Sequence, residues 1–159
     1  NARLRTVLEA FACTFTTYGR TSGDIHSLAE LDAALPHADI VCAALPETPE
    51  TINLINADRL ARFKPGALFV NVGRGSLVVE SALLAALESE HLGGALLDVT
   101  RHEPLPAEDP LWRAPRTLLT QHTCAGSDRV FRDIINFFDR NLTRYRAGQP
   151  LENLSLIHI

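Results

Sequence analysis

Side chains that could bind an acid and transfer a proton follow four apolar segments of this chain in turn. They are, in chain order, Thr48 and Thr51, then Arg74, then Asp98 with Glu103, and then His122. A guanidinium can bind a carboxylate through two parallel hydrogen bonds, and an imidazole beside a carboxylate is a common general acid. If the four segments are neighbouring strands, this set is suited to proton and hydride chemistry at one edge of a sheet.

Arg74 is flanked by two glycines directly after the apolar run at 68–72. A run with no polar face suits the middle of a parallel sheet that helices cover on both sides. Open α/β sheets bind their ligands in the crevice outside the carboxyl ends of the strands, so Arg74 is well placed to bind a carboxylate. Taken alone, it could equally be an ordinary surface arginine in a turn.

Glu103 is the predicted partner of His122, because a nearby carboxylate favours the protonated form of an imidazole. The alternative for His122 is a loop histidine with no chemical role. That plainer interpretation is given to the other five histidines, which are His26, His37, His91, His102 and His158.

A sheet is needed to bring these side chains together. Apolar runs predict strands at 38–44, 68–72, 94–99 and 116–120, and the alternating residues 13–18 predict one more. Predicted helices lie at 2–12, 28–35, 56–63, 80–88 and 128–145, the second of them capped by Ser27 with Glu30 three residues later. Because helices and strands alternate without repeats or a linker, the sequence predicts one α/β domain with a mostly parallel sheet.

Composition excludes several classes of function. The formal net charge of -4 leaves no basic stripe for a nucleic acid, so small molecules or proteins are the expected partners. Cys13, Cys42 and Cys124 show neither metal-site nor disulfide spacing, which fits a reducing cytosol and predicts no metal site. No apolar run approaches the roughly 18 residues of a membrane helix.

The loop at 19–23 bears on the choice of nucleotide. In dinucleotide-binding folds an acid at the tip of the second strand binds the ribose 2′-hydroxyl, whereas an arginine accommodates a 2′-phosphate. Here Arg20 occupies the tip and no acid does. The loop therefore favours NADP over NAD, although a solvated loop with no ligand is the alternative.

Four motifs together resemble the D-isomer-specific 2-hydroxyacid dehydrogenases, and in particular the glyoxylate/hydroxypyruvate reductase branch. They stand in the family's order and at its spacing: NVGRG at 71–75, LDV with EPLP at 97–106, PLW at 110–112 and LTQH at 119–122. The resemblance covers nearly everything up to residue 153. It implies a Rossmann-like, doubly wound fold and an oxidoreductase that passes hydride from NADPH or NADH to a small 2-keto acid.

The resemblance also implies a role for each catalytic residue. Arg74 matches the arginine that binds the substrate carboxylate and polarises its keto group. His122 matches the acid that protonates the developing alkoxide, and Glu103 matches the carboxylate bound to that imidazole. Asp98 matches the residue that fixes the nicotinamide carboxamide. The implied cofactor-binding positions are Arg20, Thr21, Leu45, Pro46, Thr51, Val72, Gly73, Arg74, Asp98, His122 and Ala125.

The chain departs from the family at several places. The strand and glycine-rich turn expected before the first helix do not precede Asn1, so residues 1–153 are interpreted as a partial dinucleotide-binding domain. Gln121 stands where the family usually has proline, and residues 154–159 match nothing in it. Since the chain also contains no Met, the sequence indicates a fragment, which alone is expected to be inactive.

Two classes of parent protein remain open. The first is a cytoplasmic reductase, expected to be a homodimer that acts on a small 2-keto or 2-hydroxy acid. The alternative is a nucleotide-sensing, corepressor-like interaction protein on the same fold. The short EPLP segment and the Gly19-Arg20 tip favour the reductase.

Overall fold

The computed structural model of the protein describes residues 2–19, 22–124, 126 and 129–152. It divides into two compact units, the first ending at Gln121 and the second beginning at His122. The predicted single domain over residues 1–153 stays a prediction, and the tail at 154–159 lies outside the described residues.

Helices and strands alternate through the first unit. They are α1 (Ala2–Glu9), α2 (Leu28–Ala34), β1 (Ile40–Ala43), α3 (Ala57–Leu60), β2 (Leu68–Asn71), α4 (Glu80–Glu88), β3 (Gly94–Leu97) and β4 (Thr117–Leu119), with 3-10 turns at Leu35–His37, Gly75–Leu77 and Pro110–Arg113. The second unit contains α5 (Val130–Arg146). None of the helices described is long and apolar enough to cross a membrane.

The four strands form one parallel sheet in the order β1-β2-β3-β4. Its register sets Ala43 beside Asn71 and Asn71 beside Leu97, so these strands end level with one another. The prediction of an α/β fold with a parallel sheet is confirmed. All four strands predicted from the apolar runs are present, with slightly tighter bounds.

One face of the sheet carries the core. Phe69 and Leu97 are almost fully buried on it, together with Leu83 and Leu87 of α4. Phe63, which follows α3, packs edge-on against Phe69 with 6.1 Å between the ring centroids. This apolar burial is the main source of stability of the unit, since each fully buried side chain of this size contributes about 2 kcal/mol.

The other face of the sheet is more exposed than the sequence predicts. Ile40, Leu68 and Leu118 point to the other face, and their exposed fractions are 60%, 44% and 57%. A continuous apolar run shows that neither face is polar, but it cannot show which faces have a helix packed on them. The sequence therefore overestimated the burial of this face.

The predicted strand at 13–18 is wrong. Within this segment only Tyr18 forms a bridge, an isolated one to Ile25. A strand needs a neighbouring backbone to pair with, and this segment instead bonds to the loop that follows it. The Thr17 carbonyl accepts from the amides of Asp24 and Ile25, at 2.8 and 3.1 Å. The Asp24 carboxylate accepts from the Thr17 amide and hydroxyl, both at 2.8 Å, and these bonds lower the pKa of Asp24.

The capping box predicted at the start of α2 is confirmed. The Ser27 hydroxyl accepts from the Glu30 amide at 3.2 Å, and the Glu30 carboxylate accepts from the Ser27 and His26 amides at 2.9 and 3.1 Å. Hydrogen bonds from the Ser27 hydroxyl and amide, and then from the His26 amide, lower the pKa of Glu30 to about 2.

This capping box predicts a specific acid dependence of stability. Because the folded pKa of Glu30 lies below its ordinary 4.5, its contribution is complete above that pH and is lost as the pH falls towards about 2. The difference in urea midpoint between the wild type and Glu30→Gln should therefore shrink between pH 4.5 and 2. Ser27→Ala should weaken this dependence, and a difference that stays constant with pH would contradict the assignment.

Candidate active site

The turn after β2 is built around the side chain of Asn71, which is fully buried. Its Oδ1 accepts from the Gly73 amide at 3.1 Å, and its Nδ2 donates to the Arg74 carbonyl at 3.0 Å. Arg74 itself is extended, with φ -142° and ψ 145°, and its side chain is exposed. Its Nη1 donates to the Gly73 carbonyl at 2.7 Å. The guanidinium therefore lies at the carboxyl end of β2, as predicted.

The loop after β1 runs close beside this turn. A Cβ added to Gly73 would lie 2.8 Å from the Leu45 carbonyl oxygen, so only glycine allows this approach. The Val72 amide donates to the Ala43 carbonyl at 2.9 Å, and the Ser76 hydroxyl donates to the Glu47 carboxylate. The backbone of Leu45 thus lies next to Gly73. The roles predicted for Leu45, Pro46, Val72 and Gly73 in binding a cofactor stay predictions.

Thr51 closes the loop that contains Pro46. Its hydroxyl donates to the Pro46 carbonyl at 2.7 Å and accepts from the Thr48 amide at 2.8 Å. These bonds fix the course of the chain between the two prolines at 46 and 49. The predicted role of Thr51 in binding a cofactor stays a prediction, and the local hydrogen bonds give it a positioning role in the loop.

Asp98 follows β3 and is buried, with 2% of its surface exposed. Its amide donates to the Asn71 carbonyl at 3.0 Å, and its Oδ1 accepts from the Thr120 hydroxyl at 2.5 Å. Thr120 in turn follows β4, and its amide donates to the Leu97 carbonyl at 3.0 Å. The carboxylate is therefore oriented at the same edge of the sheet as the turn that carries Arg74.

The loop after Asp98 is tied to the turn after β2. The Arg101 amide donates to the Glu80 carboxylate at 2.7 Å, and its guanidinium donates to the Asn53 side chain and to the Ser76 and Val78 carbonyls. Glu103 is exposed, and its Oε1 accepts from the Thr100 amide at 3.1 Å. The backbone amide of Thr100 thus orients one oxygen of the candidate catalytic carboxylate.

His122 belongs to the second unit, and its pairing with Glu103 stays a prediction. Its backbone has φ 58°, in the left-handed region that few residues other than glycine occupy. The catalytic role predicted for His122 stays a prediction as well. Three further predicted residues, Arg20, Thr21 and Ala125, lie outside the described residues.

Sequence reasoning missed three residues that hold the site together, namely Asn71, Arg101 and Thr120. Asn71 could have been found, because a lone amide at the end of an apolar strand needs partners once it is buried. Arg101 and Thr120 gave no such signal, since their partners lie far away in the chain. Across the described residues, no group of three or more His, Cys, Asp and Glu side chains could hold a metal ion.

Together, the described residues of the first unit place an exposed cation and a buried carboxylate at one edge of the sheet. The cation can bind an anionic ligand through two parallel hydrogen bonds, and the carboxylate can accept from an amide or hydroxyl group. The backbone of Leu45 lies beside Gly73. This combination suits an anionic ligand that also carries hydrogen-bond donors.

Comparison with known proteins identifies a family that this chain matches. The family model of the D-isomer specific 2-hydroxyacid dehydrogenase NAD binding domain matches residues 2–124. Glyoxylate/hydroxypyruvate reductase A of Salmonella newport is 40% identical over 122 residues, which cover 77% of this chain and 38% of that protein. The chain thus spans well under half the length of this curated relative.

Solved structures show the same Rossmann-like α/β fold. The D-isomer specific 2-hydroxyacid dehydrogenase from Xanthobacter autotrophicus Py2, in complex with NADPH and MES, matches with a TM-score of 0.79 and 40% identity, over 86% of this chain and 58% of that one. An NADPH-dependent glyoxylate/hydroxypyruvate reductase from Sinorhizobium meliloti, in complex with NADP and sulfate, matches with a TM-score of 0.85 and 32% identity, over 95% and 50%.

Gly75 provides a test of the packing between the two loops. A Cβ at this position would lie 1.9 Å from the carbonyl carbon of Thr100, and only a backbone shift could relieve that contact. Gly75→Ala should lower the free energy of unfolding by about 1–3 kcal/mol or more, and amide exchange at 100–101 should become faster. Gly66→Ala is the comparison: its Cβ would meet nothing within 4 Å, but its φ of 83° strains any residue other than glycine, so it should destabilise the unit without changing exchange at 100–101. Unchanged exchange at 100–101 in Gly75→Ala would show that the loops do not pack as described.

Proposed function

The chain belongs to the family of D-isomer specific 2-hydroxyacid dehydrogenases, as part of their NAD binding domain, and from this we propose that the protein reduces a small 2-keto acid. The proposed substrates are glyoxylate or hydroxypyruvate, the proposed hydride donor is NADPH, and the product is the D-2-hydroxy acid. The observation that carries the proposal is that the exposed Arg74 guanidinium and the buried Asp98 carboxylate follow neighbouring strands at the same edge of the sheet.

A nicotinamide dinucleotide suits the groups at this edge. The buried Asp98 carboxylate can accept hydrogen bonds from a carboxamide, and the backbone of Leu45, Pro46, Val72 and Gly73 borders the place where an apolar ring would lie. The cofactor supplies the hydride when it is bound. Among the described residues, those at 45–46, 72–74 and 98 are the ones proposed to hold it.

The residues of the chain are proposed to bind the substrate and to supply the proton. Arg74 binds the substrate carboxylate through two parallel hydrogen bonds and, being cationic, stabilises the negative charge that grows on the keto oxygen. His122 donates the proton that this oxygen takes up as the carbonyl carbon receives the hydride. Glu103 stabilises the imidazolium form of His122. One hydride and one proton thus add across the C=O bond.

Two observations support NADPH as the donor. The sequence has Arg20, and no acid, in the loop that the family resemblance assigns to the adenosine ribose. Both solved structures described above contain NADPH or NADP. The protein is further proposed to act as a homodimer, as the sequence resemblance implies.

Substitution of Arg74 tests the proposed substrate contact. Arg74→Lys keeps the charge but loses the two-point geometry, so kcat/KM for glyoxylate should fall about 10- to 100-fold. Arg62→Lys, at an exposed position after α3, is the matched control and should leave kcat/KM unchanged. Near wild-type kcat/KM in Arg74→Lys would rule out the proposed role. These measurements use the intact parent protein, and a wild-type parent that binds NADPH but reduces no 2-keto acid would favour the nucleotide-sensing alternative.

The cofactor proposal is tested by comparing NADPH with NADH. The wild type should have the higher kcat/KM with NADPH. Arg20→Ala should reduce that value about 10-fold or more, because it removes a charge-assisted hydrogen bond to the 2′-phosphate, and should change the value for NADH little. A wild-type preference for NADH would refute the proposal.

A further inference from the structure

Two polar side chains are buried in the described part of the chain, those of Asn71 and Asp98. Asp98 already has a proposed role, whereas Asn71 has none. A buried carboxamide without partners costs on the order of 10-fold or more in the folding equilibrium, so both of its ends are expected to be bonded. The structure meets this requirement within one turn: Oδ1 accepts from the Gly73 amide at 3.1 Å, and Nδ2 donates to the Arg74 carbonyl at 3.0 Å.

The orientation of this amide is determined by its partners. The Gly73 N–H can only donate and the Arg74 carbonyl can only accept, so the oxygen of Asn71 must face Gly73 and its nitrogen must face Arg74. The Gly73 N–H belongs to the peptide group before Gly73, and the Arg74 carbonyl belongs to the peptide group after Arg74. The two bonds therefore hold the Gly73–Arg74 segment at both of its ends. This restricts the direction in which the Arg74 side chain leaves the backbone.

We propose that Asn71 is a positioning residue for Arg74, so that its buried carboxamide fixes the turn from which the guanidinium reaches the substrate carboxylate. This inference rests on the proposed function of Arg74. Gly75 supports the same turn from the other side, where its Cα lies against the backbone of Thr100. The Arg74 side chain is long and flexible. Binding costs it less conformational entropy when the backbone of Arg74 is already held in place.

A purely structural role would not require an amide at this position. An apolar side chain of similar size could fill the same place beside Phe69 and Leu97 without the cost of burying polar atoms. An apolar residue, however, could not accept a hydrogen bond from the Gly73 N–H or donate one to the Arg74 carbonyl. The polar side chain is therefore explained by the turn and not by the core.

The test uses Asn71→Asp and Asn71→Ser in the intact protein, with glyoxylate as the substrate. Asp keeps the size and the acceptor for Gly73 but loses the donor to the Arg74 carbonyl, and Ser is too short to bind both groups. Each variant should raise KM for glyoxylate about 10-fold or more and change kcat less, because the affected group binds the substrate carboxylate. The affinity for NADPH, measured by fluorescence titration, should change less than KM.

A double-mutant cycle separates positioning from stability. In an Arg74→Ala background, either Asn71 variant should reduce kcat/KM less than about 2-fold further, because Asn71 acts through a side chain that is no longer there. Phe63→Leu serves as the stability control, since it loosens the core beneath β2 and should leave kcat/KM unchanged. Equal losses in both backgrounds would overturn the proposal. Failure of both Asn71 variants to fold would do so as well, because the residue would then serve the whole fold.

Hydrogen exchange keeps this inference separate from the proposed function. Amide exchange over residues 72–77 should be faster in Asn71→Ser than in the wild type, and Phe63→Leu should not produce this local change. If the wild type reduces no 2-keto acid, the proposed function fails, and the role of Asn71 in the turn is judged from exchange alone. If the wild type is active but exchange over this turn is unaltered in Asn71→Ser, the inference about Asn71 fails by itself.

Discussion

The site depends on three backbone hydrogen bonds that continue the parallel ladder one residue past the ends of the strands. The Val72 amide donates to the Ala43 carbonyl at 2.9 Å, the Asp98 amide to the Asn71 carbonyl at 3.0 Å, and the Thr120 amide to the Leu97 carbonyl at 3.0 Å. Neighbouring strands lie about 4.8 Å apart, so these bonds set the spacing of the groups that follow the strands. The residues that directly follow the strands are therefore held as rigidly as the sheet itself.

The loops above this edge would be mobile without further contacts, and polar bonds between them supply these. Arg101 joins the loop after β3 to the turn after β2, and Glu47 joins the loop after β1 to Ser76. Close backbone approaches at Gly73 and Gly75 exclude any side chain between the loops. A site held in this way can keep the Arg74 side chain exposed for a ligand while the Arg74 backbone stays fixed.

The sequence predicted the fold well, because its strongest signals were local. Apolar runs located the four strands of the sheet, and the spacing of Ser27 and Glu30 located the start of α2. The strand at 13–18 failed because alternation of residue types does not reveal whether a neighbouring backbone exists. Exposure of Ile40, Leu68 and Leu118 escaped prediction for a related reason, since burial of a sheet face depends on what packs against it.

For the site, the sequence located the residues that carry charge but not those that hold them. Arg74 and Asp98 lie where the order of strands had placed them, at the carboxyl ends of β2 and β3. By contrast, the bond from Thr120 to Asp98 spans 22 residues, and the bond from Arg101 to Asn53 spans 48. Partners at such separations are set by the register of the strands, which no local pattern in the sequence determines.

Chemical rescue of Arg74→Ala tests the central claim most directly. The rate of NADPH oxidation by glyoxylate would be measured for this variant in the presence of added guanidinium and, separately, of added ammonium at the same ionic strength. If a planar cation at this place binds the substrate carboxylate, guanidinium should restore a substantial part of kcat/KM and ammonium should restore much less. Equal rescue by both ions, or no loss of activity in Arg74→Ala, would contradict the account.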